Sequence, residues 1–65
     1  MQILINGEPS LLLQPISIAA LLEQLAVHGR LAVEVNGEIV PRSQFGAYHL
    51  QPNDTVEIVK AIGGG

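Results

Sequence analysis

Cysteine and tryptophan are absent from this 65-residue chain, and only Phe45 and Tyr48 are aromatic. The missing thiol excludes a disulfide framework, a thiolate metal site and a cysteine nucleophile together. Cations are scarce as well: Arg30, Arg42 and Lys60 are the only permanent ones, and the formal net charge is −3. That balance excludes a phosphate-tracking surface for DNA or RNA. With so few aromatics the core must be built from Leu, Ile, Val and Ala. A chain this short needs nearly all of them inside, which argues against a deep pocket and a tightly bound cofactor. No apolar run approaches ~18 residues, and the opening residues resemble a strand rather than a targeting signal, so the expectation is a cytoplasmic protein that uses no membrane.

What is present is aliphatic, 48% of the residues being hydrophobic, and the length allows one domain. Residues 1–6 read as a strand, with Met1, Ile3 and Ile5 on one face and Gln2, Leu4 and Asn6 on the other. Asn6-Gly7-Glu8-Pro9 supplies a turn, and residues 10–13 return as a second strand. Ser17 fits an N-cap, after which Ile18, Leu21, Leu22 and Leu25 follow the i, i+3, i+4, i+7 spacing of one buried helical stripe. Ala20 stands where a capping box would need Glu or Gln, and Gly29 after His28 suits the C-terminal stop.

A third strand is expected over residues 31–36, then an Asn36-Gly37 turn and a short Ile39-Val40 strand ended by Pro41. Residues 42–48 read as a loop or single helical turn. After a Pro52-Asn53-Asp54 turn, residues 55–61 form the strongest strand signal, with Val56 and Ile58 opposed to Glu57 and Val59. The order is ββαββ with minor elements between. One helix must cover one mixed sheet, which makes the fold class α+β and the architecture a β-grasp. The repeated Asn-Gly-Glu pieces at 6–8 and 36–38 are explained by turn chemistry rather than duplication.

Three glycines, Gly63, Gly64 and Gly65, stand at the end of the sequence. At ordinary usage such a triplet arises by chance roughly 3 times in 10,000. Glycine loses the most backbone entropy on ordering and has no side chain to bury, so folding gives no reason for them. The expected organisation is a domain over residues 1–62 followed by a mobile tail over 63–65. A terminal carboxylate on Gly65, ionised at neutral pH, could be threaded into a narrow active site, with Gly63 and Gly64 letting a partner close around the backbone. The chain has no Gly-rich phosphate loop with a Lys, no nucleophile paired to a base and no cluster of metal ligands, so the chemistry must belong to a partner.

End to end, the chain resembles the ThiS family, sulfur carriers of thiamin thiazole synthesis with a ubiquitin-like fold. The resemblance is carried by M-Q-I-L-I-N-G-E at the opening, V-E-V-N-G-E-I-V-P-R-S-Q-F in the middle and N-D-T-V-E-I-V-K-A-I-G-G-G at the close. It implies a carrier rather than an enzyme. The Gly65 carboxylate would be adenylated by a ThiF-like activating enzyme that uses ATP. A sulfur donor protein would help convert it to a thiocarboxylate, and a ThiG-like thiazole synthase would receive the sulfur. Alternatives are a carrier for molybdopterin synthesis, a ubiquitin-like conjugated tag, and a β-grasp interaction module with no covalent role.

Other residues carry less. His28 and His49 lack companions for a metal site, and His28 is placed where its charged form would meet a helix C-terminus. Arg42 and Ser43 read as a solvated loop. Leu4 and Val59 alternate away from the expected core on the first and last strands, which a β-grasp sets side by side, and are candidates for a docking patch beside the tail.

Overall fold

Two hairpins with the same turn chemistry frame the molecule, a computed structural model that describes residues 1–60. The first joins β1 (Gln2–Ile5) to β2 (Glu8–Leu11), the second joins β3 (Leu31–Val35) to β4 (Glu38–Val40). Each turns through Asn-Gly with both residues at positive φ, 50° and 84° at Asn6-Gly7, 53° and 86° at Asn36-Gly37. This is the type I′ geometry whose twist matches that of paired strands. The first turn is therefore two residues long, not four, and β2 begins two residues earlier than the sequence predicts. Pro9 falls inside it, opposite Leu4. A proline is tolerated there because β2 is an edge strand.

Between the hairpins lies α1 (Ile18–Gln24), capped by Ser17, whose Oγ accepts the Ala20 N–H at 3.1 Å. The helix stops earlier than Gly29. Ala26 adopts φ 56°, its N–H donates to the Glu23 carbonyl at 3.1 Å, and the Val27 N–H reaches back to Leu22 at 3.0 Å. This is the Schellman closure, made with alanine where glycine is the usual residue. The early stop corrects two expectations. Leu25 becomes the C-cap and is 41% exposed, so it leaves the buried stripe, and half-buried Val27 packs against the core instead. His28 stands three residues past the C-cap Leu25 rather than in the last turn of the helix.

β5 (Thr55–Lys60) completes a five-stranded mixed sheet in the order β2-β1-β5-β3-β4. It runs parallel to β1, pairing Leu4 with Thr55 and Ile5 with Val56, and antiparallel to β3 from Leu31↔Lys60 to Val35↔Val56. β4, read from sequence as a minor piece, is the second edge strand. The 3-10 turn Arg42–Gln44 follows Pro41, and Ser17 and His49 form an isolated bridge. Helix and sheet enclose one core in which Ile3, Ile18, Val33, Leu50 and Val56 are fully buried. Leu12, Leu21, Leu22, Val35, Val40 and Phe45 surround them. The alternation expected for β1, β3 and β5 is met, with Ile3, Val33, Val35 and Val56 inward.

The position of the stripe sets a contrast. Leu22→Ala removes packing from the buried core and is expected to cost about 2–5 kcal/mol. That is about half of the roughly 3–10 kcal/mol available to a domain of this length. Leu25→Ala is expected to cost less than ~1 kcal/mol. Urea denaturation of the two variants distinguishes them, and equal losses would show that Leu25 is buried in solution.

Candidate functional site

The route to the glycine segment is β5, the central strand. On one side β3 holds it to its last residue through Leu31↔Lys60. On the other side β1 ends at Ile5, opposite Val56, so Glu57 to Lys60 outrun their parallel neighbour. The Asn6 side chain fills part of that gap. Its Oδ1 accepts the Ile58 N–H at 2.8 Å and its Nδ2 donates to the Ile58 carbonyl at 3.4 Å. A carboxamide carries the same donor and acceptor as a peptide group, so Asn6 extends the β1 ladder by one position without a further residue of strand.

Asn36 does the corresponding work at the start of β5. Its Oδ1 accepts the Thr55 N–H and its Nδ2 donates to Asp54 Oδ1, both at 3.0 Å. Asp54 is the one buried charged residue among those described, and its other oxygen accepts the Gln51 N–H at 2.8 Å. β5 is thus anchored near both ends by the asparagines of the two hairpin turns.

Of the expected site residues, Gly63, Gly64 and Gly65 lie outside the described residues, as do Ala61, assigned to the last strand, and the boundary after Ile62. Leu4 and Val59 share the sheet face turned away from the helix, as their alternation predicts. Val59 is 59% exposed and Leu4 half-buried. They do not touch as neighbours. Leu4 is in register with Thr55, and Val59 lies four residues further along β5, about 13 Å at ~3.3 Å per residue. Thr55 stands beside Leu4 on that face, and Glu57 lies between that level and Val59.

Sequence reasoning missed the other members of this face. Ala32 is in register with Val59, Ile39 with Glu34, and Glu34 with Glu57. Ile39 is 70% exposed. The alternation that identified Val59 carried the same signal for Ala32 and Glu34 once β3 and β5 are known to pair. Elsewhere, Arg42 donates from its guanidinium to the Gly29 carbonyl at 2.6 Å, tying the 3-10 turn to the loop before β3. His49 Nδ1 lies 3.2 Å from the Ala47 carbonyl. Among the described residues no helix is long and apolar enough to cross a membrane.

A mixed sheet with parallel first and last strands at its centre and a single main helix on one face defines a ubiquitin-like β-grasp domain. The sequence model of the ThiS family matches residues 3–65, and the chain belongs to that family. The crystal structure of a thiamine biosynthesis protein (ThiS) from Geobacter metallireducens superposes with a TM-score of 0.86 at 33% identity, each chain covered completely. The solution structure of a thiamine biosynthesis protein from that organism gives 0.83 at 33% identity, covering all of this chain and 88% of the other. A thiazole synthase from Paramagnetospirillum magneticum is 42% identical over 66 aligned positions, which take in all of this chain but only 20% of that protein. The chain thus spans about a fifth of the length of that thiazole synthase.

The role of Asn6 is open to a local measurement. In Asn6→Ala the Ile58 amide loses its acceptor, and its hydrogen exchange is expected to accelerate by at least about tenfold, while that of Val33 in the core changes little. An unchanged Ile58 rate would show that the carboxamide does not extend the ladder in solution.

Proposed function

We propose that this protein is a sulfur carrier for synthesis of the thiazole ring of thiamin, and that its reacting group is the carboxylate of Gly65. A carboxylate is a poor acyl donor because oxide is a poor leaving group. A Gly65 oxygen attacks the α-phosphorus of ATP in a ThiF-like adenylating enzyme, pyrophosphate leaves, and an acyl-adenylate forms. Sulfide supplied through a donor protein then attacks the acyl carbon, the acyl C–O bond to AMP breaks, and AMP leaves with that oxygen. The product is a thiocarboxylate, from which a ThiG-like thiazole synthase takes the sulfur. The chain is co-substrate rather than enzyme in this scheme.

The observation that carries the reading is the family match, which runs through residue 65 and so includes all three glycines. Support for the thiamin branch over the molybdopterin branch comes from relatives named for thiamine biosynthesis and thiazole synthase. The thiazole synthase that contains a stretch like this whole chain supports such an enzyme as the sulfur acceptor. Gly63 and Gly64 serve as the slender stem that enters the partner, and Leu4 and Val59 belong to the face that docks against it.

Removing Gly64 and Gly65 is expected to leave the thermal transition within about 2 °C of wild type, because two glycines bury little, and to abolish conversion. Reaction requires atoms within about 3–3.5 Å, and each missing residue withdraws the carboxylate by up to ~3.5 Å. Gly64→Val keeps the length and is expected to fail by obstructing the stem. The measurement is intact-protein mass spectrometry after incubation with the adenylating enzyme of the same cell, ATP and a sulfur source. Exchange of one carboxyl oxygen for sulfur supports the carrier. A full-length protein that exchanges none, or a truncated one that reacts equally, returns the chain to a non-covalent interaction module.

Docking has a separate readout. Val59→Asp is expected to weaken binding to the adenylating enzyme by at least about tenfold, the effect of placing a charge in a desolvated contact, with little change in folding stability. Unchanged affinity would remove Val59 from the interface.

A further inference from the structure

Glu34 and Glu57 form a directly opposed cross-strand pair between β3 and β5 on the helix-free face. In that register Cβ atoms stand about 4.5–5.5 Å apart, and like charges so placed oppose the pairing of their strands. Nothing in the register relieves them. The residue opposite Glu34 on the other side is Ile39, and the next members of the same face are Ala32, Val59 and Thr55. The cations stand elsewhere: Arg42 is engaged with the Gly29 carbonyl, Lys60 alternates onto the helix side with Ile58, and Arg30 precedes β3. Folding gains nothing from this arrangement, since both carboxylates face away from the core.

Resting on the carrier reading for the identity of the partner, we propose that this face docks a protein surface presenting a guanidinium or ammonium group. That group sits between Glu34 and Glu57, with aliphatic side chains meeting Val59, Ala32, Ile39 and Leu4 around it. The charge selects this occupant. A second copy of the same face would bring four carboxylates together, and nucleic acid or an anionic membrane would add further negative charge. Position supports it too. Val59 is one residue from Lys60, and residues 61–65 span at most ~17 Å when extended, so an enzyme that acts on Gly65 must meet the molecule close to this end of β5.

The test uses the near-isosteric variants Glu34→Gln, Glu57→Gln and the double variant, titrated without ATP against the adenylating enzyme of the same cell at low and high salt. Each substitution is expected to leave the melting temperature unchanged or raise it, since repulsion is removed. Each is expected to weaken binding about three- to tenfold at low salt, the double variant more than either, with the difference shrinking at high salt. A double variant that binds as tightly as wild type overturns the proposal, and so does a wild-type protein that dimerises through this face in sedimentation equilibrium. Mass spectrometry separates this outcome from the fate of the carrier reading. If wild type gains sulfur and the double variant does so with the same KM, the docking inference fails and the carrier stands. If wild type binds with the expected charge dependence yet never gains sulfur, the carrier reading fails and the docking surface stands.

Discussion

The parallel pairing of β1 with β5 is the constraint on which the rest of the structure depends. These two strands lie more than fifty residues apart in sequence, and their union places a fully buried residue from each, Ile3 and Val56, at the centre of the sheet. Val33 of β3 joins them, also fully buried. With β5 inserted between the hairpins, the sheet becomes wide enough for one seven-residue helix to be covered by it, and Ile18, Leu21 and Leu22 find their partners. Without that insertion there are two isolated hairpins, and a two-stranded hairpin alone is at best marginal in water.

The insertion is held by more than the strands. Asn6 and Asn36 each satisfy two demands at once. A two-residue hairpin turn needs positive φ, which asparagine accepts more readily than most residues, and the carboxamide then bonds to the side of β5. An Asn→Gly replacement would keep the turn and lose the ladder contact. Asp54 adds a third link, shared between Asn36 and Gln51, and its burial is tolerable because both oxygens accept hydrogen bonds.

The two sheet faces consequently divide the work of the protein. One is consumed by the helix and the core. The other keeps exposed aliphatic groups spread along its length, from Leu4 beside Thr55 to Val59, and two opposed carboxylates midway along β5. A small domain has little area to spare, and an apolar face that it does not bury is the part of its surface most suited to another protein.

Much of this was legible in the residues themselves. Period-two alternation identified the inward faces of β1, β3 and β5, Ser17 marked the helix start, and Asn-Gly marked the hairpins, because each is a local steric or hydrogen-bonding preference. The glycine segment and the family resemblance were equally a matter of sequence. Where local signals misled, a neighbour had intervened. Leu25 kept the helical period but lost its burial when Ala26 closed the helix, and Pro9 looked like a turn residue until an edge position made its missing N–H harmless. Only the tertiary structure could decide which strands lie together. Strand pairing joins residues distant in the chain, and no local preference of Glu34, Ile39, Glu57 or Val59 states that they share one face. Their meeting follows from register, and register is set by burying the opposite side of the sheet.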